Sequence, residues 1–251
     1  DENDPKGSTE RALSTLKNLL AEHKDEYAAM SFELVLGEGG FYPGQKDFFI
    51  SLMKELKKHK VAVLVDEVQS FARTTEPFAF QHFGLDEYVD IVWIGKASQA
   101  CATLFRNDFK PKPGLLSQTY TASSSAIQAS LVILEELMKK DYYGETGKIS
   151  NIQNSFRTGL EELNEKYPQL IKGPYGVGAM VAFTPFNGEL EQTKALVKKL
   201  FDNGVMSFFC GKSPVRVRFL IPALAVNENH IKDVLDILEK SLLETQKDLG
   251  L

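Results

Sequence analysis

The feature that most constrains the fold is an unbroken apolar run that ends in two acids. Residues 61–67 read VAVLVDE, in which five apolar residues precede Asp66 and Glu67. A strand with one face in water alternates polar and apolar residues, whereas a strand of a parallel sheet is covered on both faces and reads as a continuous apolar run. The run therefore predicts a buried strand of a parallel sheet, with Asp66 at its carboxyl end.

Helical and strand-like patterns flank this run in alternation. An amphipathic helix over QKDFFISLMKELKKHK precedes it, because Phe48, Phe49, Leu52, Met53 and Leu56 share one face. The segment YVDIVWIGK predicts a second buried strand that ends at Lys96, and CATLFR predicts a third. Alternating strands and helices are typical of α/β domains.

The carboxyl-terminal part predicts a smaller α/β domain. Helices over Ser123–Lys140 and Lys148–Tyr167 lead into it. The predicted elements that follow are a strand AMVAFTPF, a helix over 189–203, a short strand near Val205, a strand VRVRFLIP and a helix over 227–246. We therefore predict an α/β fold with a three-layer, mostly parallel sheet in residues 1–150 and a small α/β domain in residues 151–251.

Composition argues against several classes of function. The 251 residues carry a net charge of -5, and their lysine pairs lie among acids, so we expect no nucleic-acid partner. No apolar run approaches the roughly 18 residues of a membrane helix. Cys101 and Cys210 lie among apolar residues, which suits reduced thiols in a cytoplasmic protein. The four histidines lack the spacing of metal ligands, so we expect no metal.

Opposite charges close two of the predicted strands. Asp66 and Lys96 follow buried runs, and ligands of open α/β sheets bind at the carboxyl ends of such strands. One interpretation is a structural ion pair between the two side chains. The other is a ligand between them, such as pyridoxal phosphate, whose ring nitrogen suits a carboxylate and whose aldehyde suits a lysine.

Longer motifs around these two residues resemble the class III aminotransferases, which are fold-type I pyridoxal-phosphate enzymes. The motifs are DEVQS at 66–70, FARTTEPFAFQHFG at 71–84 and DIVWIGKA at 90–97. The resemblance extends from ELVLGEGGFYP at 33–43 to VRFLIPALAVNENHI at 217–231. It implies that residues 1–150 are part of the large cofactor-binding domain, that GPYGVG at 173–178 is a turn, and that the chain is the carboxyl-terminal part of a longer enzyme.

The resemblance also implies roles in cofactor binding. Asp66 would pair with the pyridinium nitrogen, Val68 would pack under the ring, and Gln69 would hydrogen-bond the phenolic oxygen. Lys96 would form the Schiff base and shuttle a proton as a general base and acid. Thr119 would reach the cofactor phosphate of a partner subunit, which implies a homodimer. Alternatively, Gln69 is a surface polar residue and Thr119 an ordinary loop hydroxyl.

Two further residues would bind substrate. Arg218 resembles the arginine that binds a substrate carboxylate, and Glu38 resembles its switch partner, which moves aside for a dicarboxylate such as 2-oxoglutarate. Arg216 is an alternative carboxylate binder, two residues away on the same strand face. Glu38 beside glycines is also consistent with plain turn chemistry.

The segment after Lys96 favours one reaction. Gln99–Cys101 is similar to the corresponding segment of L-lysine 6-aminotransferases, so we expect a terminal amino group to move from a diamino acid, with L-lysine favoured, to 2-oxoglutarate. The products would be a semialdehyde and glutamate. The alternatives are an acetylornithine, ornithine or 4-aminobutyrate aminotransferase, or a truncated module without catalysis.

Overall fold

The structure, a computed structural model, describes residues 4–117, 119 and 123–251, apart from the side chain of Lys140. The α-helices are α1 (Pro5–Glu22), α2 (Lys46–Lys58), α3 (Ala79–His82), α4 (Ser124–Leu137), α5 (Lys148–Lys166), α6 (Leu190–Asp202) and α7 (Glu228–Leu249). The strands are β1 (Ala29–Glu33), β2 (Val35–Leu36), β3 (Tyr42–Pro43), β4 (Ala62–Glu67), β5 (Ile91–Ile94), β6 (Ala102–Phe105), β7 (Ile171–Val177), β8 (Met180–Pro185), β9 (Phe208–Cys210) and β10 (Arg216–Leu220).

The chain divides into two compact units. Unit 1 comprises Asp1–Leu34, Gly44–Phe71 and Phe78–Glu135. Unit 2 comprises Val35–Pro43, Ala72–Pro77 and Glu136–Leu251. The domain boundary near residue 150 stays a prediction. The compact units differ from it, because unit 2 begins its long segment at Glu136 and also includes two short earlier segments.

Unit 1 contains the mostly parallel sheet that the apolar run predicts. The strand order is β1-β4-β5-β6, in which β4 runs parallel to both of its neighbours. The edge strand β6 pairs antiparallel with β5, since Ile91 lies opposite Phe105 and Ile94 opposite Ala102. Val63 and Val65 of β4 are fully buried, which explains why this strand lacks polar alternation.

Helices α1 and α2 contribute to the core of unit 1. Helix α2 buries Phe49, Leu52, Met53 and Leu56 on one face, and it carries Asp47 in its first turn and lysines in its last. This charge order complements the helix dipole. Helix α1 begins after Asp4, whose Oδ1 accepts a hydrogen bond from the Gly7 amide at 3.0 Å. The same core includes Leu16, Leu20, Phe32, Val63 and Val65.

Unit 2 is built on an antiparallel sheet with the strand order β7-β8-β10-β9. Its core combines α5, α6 and α7 with one face of this sheet, and it includes Ile149, Phe156, Leu160, Phe183, Leu196, Val217, Leu238 and Leu242. The short strands β2 and β3 form a separate hairpin, which holds Gly37–Phe41 in its turn.

One prediction for unit 2 is wrong, and another is displaced by a few residues. Residues 173–177 of GPYGVG lie within strand β7 rather than in a turn, and the ladder contains a bulge between Lys172 and Tyr175. The short strand predicted near Val205 is present as β9, which begins three residues later at Phe208, whereas the Val205 amide donates to the Leu200 carbonyl at 2.8 Å. Val205 therefore belongs to the carboxyl-terminal cap of α6, together with Gly204 at a φ of +100°.

The observed architecture confirms the predicted fold class of an α/β protein, with a mostly parallel sheet in unit 1 and helices packed on an antiparallel sheet in unit 2. Among the described residues, none of the helices combines the length and the apolar character that crossing a membrane requires.

Candidate active site

Asp66 lies at the carboxyl end of the central strand of unit 1. It pairs in register with Glu33 of β1 on one side and Trp93 of β5 on the other, so both neighbouring ladders fix its backbone. Its side chain is half-buried, and its Oδ1 accepts a hydrogen bond from the Val68 amide at 2.9 Å. That bond closes a tight turn immediately after the strand.

Lys96 lies just beyond the end of the adjacent strand. Strand β5 ends at Ile94, two residues before the predicted end, and Lys96 begins a short turn of 3-10 helix over Lys96–Ser98. Its φ of +50° lies in the left-handed region, which non-glycine residues adopt rarely and often at functional sites. The backbone therefore leaves the sheet at this residue, and the lysine side chain is exposed.

Val68 connects the two strand ends. A Cβ atom placed on Gly95 would lie 3.4 Å from Val68 Cγ1 and 3.3 Å from Cys101 Sγ. The Val68 side chain thus packs against the residue that precedes Lys96. Gln69 follows Val68 in the same turn and is half-buried.

The interpretation of a structural ion pair at the strand ends is not supported. Within the described part of the chain, no ion pair joins Asp66 to Lys96. Asp66 lies at the carboxyl end of β4 and Lys96 lies two residues beyond the carboxyl end of β5, its parallel neighbour, in which Trp93 pairs with Asp66. The arrangement thus offers a carboxylate and an amine that do not neutralise each other directly.

Glu67 is a buried acid beside Asp66, and its structural role was not predicted from the sequence. Its carboxylate accepts hydrogen bonds from the Ala79 amide at 2.7 Å, the Phe80 amide at 2.8 Å and the Ser70 hydroxyl at 3.0 Å. Burial raises the pKa of Glu67, although these hydrogen bonds oppose the shift. Glu67 therefore fixes the amino-terminal end of α3. A second acid at the end of an apolar strand was the signal for such a role.

Arg218 and Glu38 form an ion pair in unit 2. Arg218 Nη2 donates to Glu38 Oε1 at 2.6 Å, and the arginine side chain is 11% exposed against 71% for the glutamate. Arg218 lies on β10, opposite Ala182 of β8 and Phe208 of β9, so the sheet holds the arginine. Glu38 lies in the hairpin turn. The structure thus brings together the two residues that the resemblance implies as partners.

Arg216 occupies a different environment on the same strand face. It is 4% exposed, and its guanidinium carbon lies 4.0 Å from the centroid of the Tyr42 ring and 3.5 Å from that of Tyr175. Its Nη1 donates to the Gly40 carbonyl at 2.6 Å. These contacts leave the Arg216 guanidinium covered on both faces, unlike that of Arg218.

The two cysteines differ in exposure. Cys210 is buried beside this arginine pair, and burial raises the pKa of its thiol to about 11, although Arg218 and Arg216 pull in the opposite direction. Cys101 is exposed, which corrects the expectation that both thiols lie in apolar surroundings. No disulfide joins them, since both are free thiols.

The remaining site predictions concern Thr119 and metal ligands. Thr119 is exposed and lies in a bend, whereas residues 118 and 120–122 of its motif fall outside the described residues. Its role in phosphate binding stays a prediction. Within the described ranges, no cluster of histidine, cysteine, aspartate or glutamate side chains could hold a metal ion.

A comparison with solved structures shows which fold the chain has. The chain superposes on a lysine aminotransferase from M. tuberculosis in its internal aldimine form with a TM-score of 0.85 at 21% identity, and the match covers 98% of this chain and 56% of that one. At this identity the likeness shows the fold alone.

The sequence then gives the family. Residues 1–242 match the family described as Aminotransferase class-III, and the chain belongs to that family. It is 31% identical over 234 residues to an acetylornithine aminotransferase from Methanocaldococcus jannaschii, covering 89% of this chain and 54% of the relative. It is 25% identical over 239 residues to the mitochondrial 4-aminobutyrate aminotransferase of Mus musculus, covering 93% and 46%.

These matches confirm the resemblance to class III aminotransferases. The family indicates pyridoxal phosphate as the cofactor. The chain spans about half the length of the curated relatives that it matches.

Proposed function

We propose that the protein containing this chain is a pyridoxal-phosphate-dependent aminotransferase that moves the terminal amino group of a diamino acid, with L-lysine favoured, to 2-oxoglutarate. The products are a semialdehyde and glutamate. The observation that carries the proposal is the placement of Asp66 and Lys96 at neighbouring strand ends without an ion pair between them. The ion pair between Arg218 and Glu38 supports the assignment of the substrates.

The residues of unit 1 fit the cofactor chemically. Asp66 offers a half-buried carboxylate, Val68 an apolar surface beside Gly95, and Lys96 an exposed amine. When bound, pyridoxal phosphate supplies an electron sink for the negative charge that develops at the substrate carbon. Asp66 would hold the ring nitrogen protonated, since a carboxylate beside a cation stabilises the charged form. Val68 would support the ring, and Gln69 would hydrogen-bond its phenolic oxygen.

Lys96 carries the proton transfer. With the cofactor bound, its Nζ would take a proton from the substrate carbon bonded to the transferred nitrogen, as a base, and would then return a proton as an acid. The left-handed backbone at Lys96 supports this role. It turns the chain away from β5 at the carboxyl edge of the sheet, where Asp66 also lies.

Arg218 binds the substrate carboxylate in a two-point geometry, which suits its planar guanidinium. Glu38 neutralises Arg218 while an amine donor without a second carboxylate occupies the site, so the buried cation never lacks a counter-charge. A dicarboxylate acceptor then displaces Glu38. The 71% exposure of the glutamate side chain supports this exchange, since an exposed partner leaves at a low desolvation cost. We assign the carboxylate to Arg218 rather than Arg216 because the Arg216 guanidinium is already covered by two rings.

The identity of the amine donor rests on the segment Gln99–Cys101, which is similar to that of L-lysine 6-aminotransferases. The relatives named above favour a second candidate, in which N-acetylornithine or 4-aminobutyrate is the donor, as the printed names of those proteins say. The proposal further includes a cytoplasmic homodimer in which Thr119 of one subunit reaches the cofactor phosphate of the partner, supported by the exposure of Thr119.

Absorbance and peptide mapping test the cofactor assignment. The purified intact protein, incubated with pyridoxal phosphate, is expected to show a long-wavelength band, and borohydride reduction is expected to fix a pyridoxyl group on the peptide that contains Lys96. Lys96→Ala removes the label, whereas the exposed Lys110→Ala retains it. An unlabelled wild type, or equal labelling of the Lys96→Ala variant, would refute catalysis by this site and favour a module without catalysis.

A donor panel tests the substrate. Turnover with L-lysine, N-acetylornithine, ornithine and 4-aminobutyrate is measured with 2-oxoglutarate as the acceptor. The proposal expects the highest kcat/KM with L-lysine, and turnover of only one of the other donors would replace it with the second candidate.

A further inference from the structure

Arg216, Tyr42, Tyr175 and the Gly40 carbonyl form a cluster that the proposed chemistry does not use, which we name the Arg216 clamp. The guanidinium lies between two aromatic rings, at 4.0 Å from the Tyr42 centroid and 3.5 Å from the Tyr175 centroid. The two rings come from β3 and β7, and Arg216 itself comes from β10. The clamp therefore joins the hairpin to the antiparallel sheet of unit 2.

The clamp contacts the turn that carries Glu38. Arg216 Nη1 donates to the carbonyl of Gly40, two residues after Glu38, at 2.6 Å. On the other side of the turn, the Gly211 amide donates to the Glu38 carbonyl at 2.8 Å. Gly40 has a φ of +124°, and a Cβ atom there would lie 2.8 Å from the Tyr42 ring, so the turn packs closely on the clamp. These contacts fix the backbone of Glu38 from both sides.

The charge of Arg216 is costly where it lies. A cation that is 4% exposed requires compensation, and in the described part of the chain Arg216 forms no ion pair. Its Nε has no hydrogen-bond partner among the described groups. Stacking on two rings and a hydrogen bond to one carbonyl compensate for the buried charge. A leucine or methionine would fill the same space without burying a charge. The hydrogen bond from Arg216 to the Gly40 carbonyl, rather than the volume of the side chain, therefore accounts for an arginine at this position.

We propose that Arg216 is a positioning residue that acts through Glu38. By holding the Gly40 carbonyl, it keeps Glu38 within hydrogen-bond reach of Arg218 and thereby sets how readily a dicarboxylate displaces the glutamate. The inference rests on the proposed function, since it requires Arg218 to bind the carboxylate. Arg216 thus governs the balance between amine donor and dicarboxylate acceptor without touching either substrate.

The direction of the effect follows from competition for Arg218. Loosening the Glu38 turn weakens the competitor, so a dicarboxylate binds more tightly. The amine donor binds more weakly, because Arg218 then lacks its counter-charge. A variant that only damages the fold would weaken both ligands.

Glutarate, a dicarboxylate that cannot react, is the probe. Calorimetry on the purified cofactor-loaded protein gives its Kd for wild type, Arg216→Met, Glu38→Gln and the double variant. We expect Arg216→Met to lower the Kd by about 3- to 10-fold, and to have no further effect in the Glu38→Gln background. The exposed Arg157, which pairs with Glu161 on α5, provides the control variant Arg157→Met, which keeps the wild-type Kd. Equal effects of Arg216→Met in both backgrounds, or a raised Kd, would overturn the inference.

Milder variants cover the case in which Arg216→Met does not fold. Tyr42→Leu removes one stacking face and is expected to lower the Kd in the same direction, whereas Tyr42→Phe keeps the face and stays closer to wild type. An unchanged Kd in Tyr42→Leu, with the melting temperature retained, would also overturn the inference. Arg218→Met separates the two proposals, because wild-type glutarate affinity in that variant refutes the carboxylate site itself, whatever Arg216 does.

Discussion

The two compact units hold their charged site residues in opposite ways. In unit 1, Asp66 and Lys96 lie at the carboxyl ends of neighbouring strands, and no ion pair joins them among the residues that the structure describes. In unit 2, Arg218 already pairs with Glu38 at 2.6 Å. The first set is positioned by backbone, namely a strand register and a left-handed φ at Lys96. The second set is positioned by side chains that satisfy one another.

This difference suggests two modes of binding. The backbone positions the carboxylate of Asp66 and the amine of Lys96 without an ion pair between them. Such a site suits a ligand that remains bound, because no counter-ion has to be displaced when the ligand enters. An arginine with an exposed counter-ion suits a ligand that exchanges, because the counter-ion takes its place after each departure. Under the proposed function, unit 1 holds the resident cofactor and unit 2 binds the alternating substrates.

The largest expected effect concerns the charge of Asp66. Asp66→Asn keeps the hydrogen bond from the Val68 amide through its side-chain oxygen but cannot hold the ring nitrogen protonated. We expect kcat to fall by about 100-fold or more, on the order of losing one preorganised electrostatic contact. Steady-state transamination is the measurement. Asp108→Asn, at an exposed residue of the same unit, is the control, and turnover within tenfold of wild type in Asp66→Asn would show that the assignment is wrong.

The exchanging site is tested by Arg218→Lys. Lysine keeps the positive charge but loses the planar fork, so we expect the KM for 2-oxoglutarate to rise by roughly 10- to 100-fold. The KM for the amine donor is expected to change less. Glu38 pairs with the cation at position 218 while the amine donor is bound, and a lysine there can still form that ion pair. Arg157→Lys provides the matched control on α5. A uniform change in both KM values would remove the distinction between the two units.

Glu67 tests whether unit 1 depends on its buried acid. Glu67→Gln places an amide where the Ala79 or Phe80 amide needs an acceptor, so we expect a loss of about 1–3 kcal/mol in the free energy of unfolding. Urea unfolding is the measurement. The exposed Glu87→Gln is expected to change the unfolding free energy little, and an equally stable Glu67→Gln variant would contradict the prediction.

The same variant has a pH signature. Burial raises the pKa of Glu67 above its ordinary value of 4.5, so the folded chain binds this proton more tightly than the unfolded chain does. The resulting stabilisation is complete below pH 4.5 and is lost as the pH rises through the raised pKa. The stability gap between wild type and Glu67→Gln therefore narrows as the pH rises. A gap that widens would show that hydrogen bonding outweighs burial.

The smallest effect concerns thiol reactivity. Cys101 is exposed, whereas Cys210 is buried and burial raises the pKa of its thiol to about 11. Because the thiolate is the reactive form, a thiol reagent at pH 8 is expected to modify Cys101 quickly and Cys210 only after unfolding. Rapid modification of both thiols in the native protein would indicate that the arginine pair in unit 2 is open to solvent.

Much of the fold was predictable because its signals are periodic. The continuous apolar run of β4 and the 3.6-residue pattern of α2 reflect which faces of these elements are buried. Both patterns can be recognised within a short stretch of sequence. The errors lie where backbone detail decides. The short strand near Val205 begins only at Phe208, because Val205 itself caps α6, and most of GPYGVG belongs to β7, which contains a bulge.

The candidate site divides along the same line. Local patterns and motifs are sufficient to identify the family, the strand ends and the candidates Asp66, Lys96, Arg218 and Glu38. The contacts between Arg218 and Glu38, and the position of Arg216 between two rings, are visible only in the folded chain. Residues 38 and 218 are 180 positions apart, and only the folded sheet and hairpin bring such distant side chains into contact.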